Sequence, residues 1–110
     1  MAMPVLPGKE QTWRDYVNRL TSPEVRDEYR ASRRAAGMTR ETVCSQATPD
    51  GRLTAVVVME ADDLEAVLGN LATSDDPFTA AFRDFIKDVH GVDLATDPLP
   101  EVAMLSDTRF

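Results

Sequence analysis

The sequence predicts an α+β fold built on an antiparallel sheet, and three observations carry that prediction. The spacing of apolar residues switches from a helical period to an alternating one and back again. A run of turn-forming residues, Thr48-Pro49-Asp50-Gly51, separates two segments rich in β-formers. The 110 residues, 43% of them hydrophobic, suit a single domain with a core of its own.

Met3 to Leu6 is short and apolar and stops at Pro7-Gly8, which predicts a brief strand and a turn. Pro4 has no N–H, so that strand belongs at an edge or a start. Trp13, Tyr16, Val17 and Leu20 follow at helical spacing and share one face. Thr21-Ser22-Pro23 interrupts them, with Ser22 placed to cap a second helix and Pro23 suited to its first position. Val25, Tyr29, Ser32 and Ala36 make a thinner stripe that Gly37 ends. Thr39 to Ala47 and Leu53 to Met59 then read as the two strands of a hairpin. The second of these is apolar on both faces, with Leu53, Ala55, Val57 and Met59 on one and Val56 and Val58 beside Thr54 on the other. A strand of that kind is usually covered on both sides. Asp62-Asp63 opens a helix carrying Leu64, Val67, Leu68 and Leu71. Ser74-Asp75-Asp76-Pro77 opens a longer one, with Phe78, Ala81, Phe82, Phe85, Ile86 and Val89 on a broad apolar face that ends at His90-Gly91. Leu94 to Pro100 reads as a linker and Glu101 to Leu105 as a last strand.

The order β-αα-ββ-αα-β is that of a single ferredoxin-like domain over residues 1–110, each crossover helix being broken in two. Helices would cover one face of its sheet. A chain this short has little left to cover the other, so a second subunit is the expected cover, giving a dimeric α+β barrel.

Three stretches also bear a family resemblance. They are Met3-Pro4-Val5-Leu6-Pro7-Gly8-Lys9, the hairpin around Pro49-Asp50-Gly51, and Ser74-Asp75-Asp76-Pro77-Phe78 with the ending His90-Gly91-Val92-Asp93-Leu94. Together they resemble a bacterial family of small dimeric α+β-barrel proteins, distantly similar to antibiotic-biosynthesis-type monooxygenases. The resemblance implies fold and dimerisation and implies no activity. Haem-degrading members of the wider superfamily pair an Asn in the first strand with a Trp and a His. Here Met3 to Leu6 contains no Asn and Trp13 lies on the first helix, which speaks against haem, and no cofactor is expected.

Net charge is −7 and the isoelectric point about 4.6. Nucleic acid and anionic membrane surfaces are therefore poor partners. The charge is uneven: residues 1–40 carry 8 Lys/Arg against 5 Asp/Glu, and residues 41–110 carry 4 against 14. A solvated, soluble surface explains this, and so do two poles that attract a small anion. One cysteine, Cys44, permits no intrachain disulfide, and no apolar stretch reaches the ~18 residues of a membrane span. Cytoplasm is the expected compartment.

Each candidate site residue has a plain reading beside the functional one. His90, the one histidine, sits three residues before Asp93 and suits a general base oriented by a carboxylate, or a helix-terminal residue meeting the last carbonyls. No metal site is expected, because no second His is present. The pairs Asp62-Asp63 and Asp75-Asp76 suit a divalent cation or, at those positions, helix caps. Arg26, Arg30, Arg33 and Arg34 fall on overlapping faces of the second helix. They suit a carboxylate or phosphate ligand, or a solvated face paired with Glu24, Asp27 and Glu28. Trp13, Tyr16 and Tyr29 suit a pocket wall or plain core packing. Glu41 is a candidate base if its strand face looks inward and an ordinary surface carboxylate if it does not. Cys44 has no partnering base in the sequence, and an inert thiol is its plain reading.

The leading expectation is a homodimer that binds a small apolar or aromatic molecule between sheet and helices. The alternatives are a cofactor-independent monooxygenase or isomerase on the same scaffold, using His90 with Asp93 or Glu41, and a non-catalytic dimerisation module.

Overall fold

Three strands, β1 (Ala2–Pro4), β2 (Met38–Ala47) and β3 (Leu53–Ala61), form an antiparallel sheet in the order β1-β3-β2 in a computed structural model that describes residues 1–99 and 105–110. The described residues also form four helices: α1 (Glu10–Leu20), α2 (Arg26–Ala35), α3 (Leu64–Thr73) and α4 (Pro77–His90). Both outer strands are antiparallel to β3, so β1 and β2 run in the same direction on either side of it. The strand expected over Glu101 to Leu105 lies, but for Leu105, outside the described residues.

The turn residues do what their chemistry dictates. At Thr48-Pro49-Asp50-Gly51 the hairpin closes through Gly51 N–H to the Thr48 carbonyl at 3.0 Å, with Gly51 at φ 87°. Only glycine takes that angle without strain. Asp63 caps α3 by accepting from the Ala66 N–H at 3.0 Å. Asp76 caps α4 by accepting from the Thr79 N–H at 3.0 Å, with Pro77 in the first turn. The second member of each acidic pair is thus a cap. Asp76 also takes the hydroxyls of Thr79 and Ser32, both at 3.1 Å, which ties α4 to α2. These donors, the Thr79 N–H first, hold the Asp76 carboxyl below its ordinary 3.8.

Several boundaries differ from expectation for definite reasons. The Ser22 hydroxyl donates to the Arg19 carbonyl at 2.7 Å, so it closes the end of α1 and leaves α2 without a side-chain cap. The Ser22 carbonyl accepts from Val25 and Arg26 in a separate turn, and regular helix begins only at Arg26. β1 ends at Pro4 because Leu6 turns away to give its N–H to the Val89 carbonyl at 2.8 Å. Met1 and Val5 make bonds to β3 on either side, so the missing N–H of Pro4 falls on the edge away from it. Leu64 and Ala81, placed on apolar faces by spacing, are exposed: each lies at the flank of its helix, where the stripe is wider than the neighbours that cover it.

The helices pack on one face of the sheet. A first core cluster joins Val5, Trp13, Leu53, Ala55 and Val89, with Val17, Val43 and Phe85 against it. A second joins Met38, Val67 and Leu71, with Met59, Ala61 and Phe82. α4 supplies residues to both. The opposite sheet face carries Thr42 and Cys44 on β2 across from Val58 and Val56 on β3. Val58 is 51% exposed there, and Cys44 is exposed too. The two-sided strand is therefore covered by this chain's helices on one side only.

Candidate functional site

Between the two core clusters, under Val57, lies a cavity of about 70 Å³. Its floor is the inner sheet face, including Met3, Val43, Ala55 and Val57. Its walls are Trp13 and Tyr16 of α1, Leu71 of α3 and Phe82 and Phe85 of α4. Tyr16 stacks on Phe85 with ring centres 3.7 Å apart and planes 10° from parallel. Burial pushes the Tyr16 phenol up to about 12, so it is a neutral hydroxyl at physiological pH. Leu94 and Leu99, beyond α4, contribute to the lining as well.

Polar groups occur at two ends of this apolar space. Beside β1 stands His90, 8% exposed, whose Nδ1 lies 2.8 Å from the Pro4 carbonyl. A carbonyl only accepts, so Nδ1 carries the proton, and the neutral ring keeps an Nε2 lone pair as an acceptor. Burial holds the ring below its ordinary 6.5, against a smaller opposing effect of the Pro4 carbonyl. At the β2 end stand Glu41 and Arg33. The Arg33 Nε is 3.6 Å from the Glu41 carboxylate, with side chains only 6% and 10% exposed. The Tyr29 hydroxyl donates to the other Glu41 oxygen. Burial first, and then this bond to Glu41, push the Tyr29 phenol up as well.

Arg33 overturns the reading of its helix face as solvated. Its guanidinium carbon sits 4.5 Å from the Phe82 ring centre and 5.5 Å from those of Tyr29 and Phe78. Such cation–π contact lets a desolvated guanidinium sit among aromatics. Its Nε and Nη1 are buried and make no hydrogen bond among the described residues. Arg26 conforms to the plain reading, exposed and 3.6 Å from Asp27. Arg30 and Arg34 line a second, open cleft of about 310 Å³ between the end of α2 and the start of β2, together with Arg33, Arg40 and Glu41.

The structure thus gathers Trp13, Tyr16, Glu41 and His90 around one cavity, and Tyr29 and Arg34 around the adjoining cleft. Glu41 takes the inward option. Asp93 is not brought to His90 as a partner: its carboxylate accepts from the Ala95 N–H at 3.0 Å and lies 4.0 Å from Lys87 Nζ. A dyad of His90 with Asp93 is therefore absent, because Gly91 at φ 70° turns the chain off the helix before Asp93. Sequence reasoning named Arg33 among the candidate anion-binding arginines but missed its burial and its pairing with Glu41. The signal was present, since Arg33 is four residues after Tyr29 and three before Ala36, on the same stripe. Among the described residues no group of three or more His, Cys, Asp or Glu side chains could hold a metal ion, and no helix is long and apolar enough to cross a membrane. Comparison with protein-family models, curated proteins and solved structures finds no match.

Proposed function

We propose that the protein is a small-molecule binding protein, a homodimeric α+β barrel that holds an apolar or aromatic compound between its sheet and its helices. The observation that carries this reading is the cavity beneath Val57, apolar on nearly every side, with His90, the Arg33–Glu41 pair and Tyr16 as polar side chains in its lining. Binding sites commonly have this character, an apolar wall with a few placed polar groups. Its volume of about 70 Å³ is smaller than the roughly 150 Å³ of a cavity that holds benzene, so an aromatic ring enters only as the lining side chains move, with the rest of a larger ligand reaching the adjoining cleft. The strand order, with β1 and β2 running alike on either side of β3, supports the ferredoxin-like arrangement. The open apolar face around Val56 and Val58 supports a second copy packing there.

Trp13 is the single tryptophan and lines the cavity, so its fluorescence reports entry directly. Titration with benzyl alcohol is expected to change its emission saturably, and Val57→Phe, which fills the cavity without adding a second tryptophan, is expected to abolish saturable binding. A linear, unsaturable response in both proteins would remove the cavity as a binding site.

A further inference from the structure

We propose that the arginine cleft between α2 and β2 binds the oxyanion head, carboxylate or phosphate, of a ligand whose apolar part occupies the sheet–helix cavity. This rests on the cavity being a binding site and adds the chemical class of the ligand.

Charge is the first support. The molecule carries −7 overall, yet this cleft gathers Arg30, Arg33, Arg34 and Arg40 with Glu41 as its one carboxylate. Arg40 has a weak exposed partner in Glu60 at 3.7 Å, while Arg30 and Arg34 make no ion pair among the described residues. Four guanidinium groups in one concave place repel each other, and an anion between them removes that repulsion.

Arg33 is the second and independent support. It is 5% exposed, and its Nε and Nη1 have no hydrogen-bond partner among the described residues. Glu41 at 3.6 Å supplies charge without a well-formed bond, and it is shared with Tyr29. Buried N–H groups are rarely left unfilled, and a charged one least of all. The rings of Tyr29, Phe78 and Phe82 lie within 5.5 Å of the guanidinium carbon. A guanidinium held among rings in this way offers its in-plane N–H edge to acceptors. A planar carboxylate or a phosphate fits that fork with two parallel bonds. Arg33 and Glu41 line both the cleft and the cavity, so a head bound at this pair stands at the boundary of the apolar space.

The test is calorimetric titration of the protein, at low ionic strength, with benzoate, phenyl phosphate, benzyl alcohol and inorganic phosphate. Either aromatic oxyanion is expected to bind about tenfold more tightly than benzyl alcohol, the increment of one charge-assisted bond. That preference should weaken with added salt. The tighter of benzoate and phenyl phosphate identifies the head. Arg30→Gln combined with Arg34→Gln changes only exposed positions and is expected to lower oxyanion affinity several-fold while benzyl alcohol binds as before. Arg33→Met combined with Glu41→Gln is expected to erase the preference. Equal affinity for benzoate, phenyl phosphate and benzyl alcohol would overturn the oxyanion head and leave cavity binding standing. Inorganic phosphate binding as tightly as phenyl phosphate would overturn the link between cleft and cavity. Binding of none of the four would overturn both.

Discussion

Arg33→Ala is expected to destabilise the protein by about 3–5 kcal/mol, the cost of leaving one half of a buried ion pair without the other. The substitution strands the Glu41 carboxylate, whose side chain is 10% exposed, and removes the cation that Tyr29, Phe78 and Phe82 enclose. Replacing both charges at once, Arg33→Met with Glu41→Gln, leaves no unpaired charge and keeps most of the volume, so its cost is expected to be much smaller. Urea denaturation of the single and double variants checks both parts. A cost of about 1 kcal/mol or less for Arg33→Ala is what an exposed pair would show, and it would contradict the buried placement.

Val58→Lys is expected to convert a dimer into a monomer. Val58 is half exposed at the middle of the open sheet face, opposite Thr42 and two residues from Val56, with the exposed Cys44 across from Val56. A lysine there places a charge at the centre of the proposed interface between two sheets, and Glu60, two residues along β3 on the same face, is already paired with Arg40 at 3.7 Å. On this chain's own fold the substitution should have little effect, because the site is already solvent-facing and β3 stays paired on both sides. Light scattering is expected to give twice 12.2 kDa for the parent protein and 12.2 kDa for the variant. A monomeric parent protein would remove the second copy as the cover of this face.

Where local chemistry decides the structure, the sequence reads correctly. Pro49-Asp50-Gly51 determines the hairpin, and Asp63 and Asp76 begin their helices because a carboxylate in front of free N–H groups has few better places to be. His90-Gly91 ends α4 for a similarly local reason, since Gly91 takes the positive φ that reverses the chain. The failures are those in which a distant group competes. Ser22 is a good cap by type, but the Arg19 carbonyl takes its hydroxyl first. Arg33 reads as surface by charge, and only the approach of three aromatic rings from α2 and α4 makes its burial tolerable. The cavity is the least readable feature. Apart from Arg33, Glu41 and His90, its lining residues are ordinary apolar or aromatic residues in sequence, and the space lies where the clusters around Val89 and Val67 meet beneath Val57. Glu41 illustrates the intermediate case: its strand is evident, while its facing depends on the register that pairs it with Met59.

The most direct measurement is a map of methyl and backbone NMR shifts during titration with benzoate. Shifts are expected at Val17, Val43, Val57 and Leu71 around the cavity and at Arg33, Arg34 and Thr39 around the cleft, all saturating with one dissociation constant. Shifts confined to Val56, Val58 and Thr42 on the open sheet face, with the cavity methyls unmoved, would contradict binding between sheet and helices.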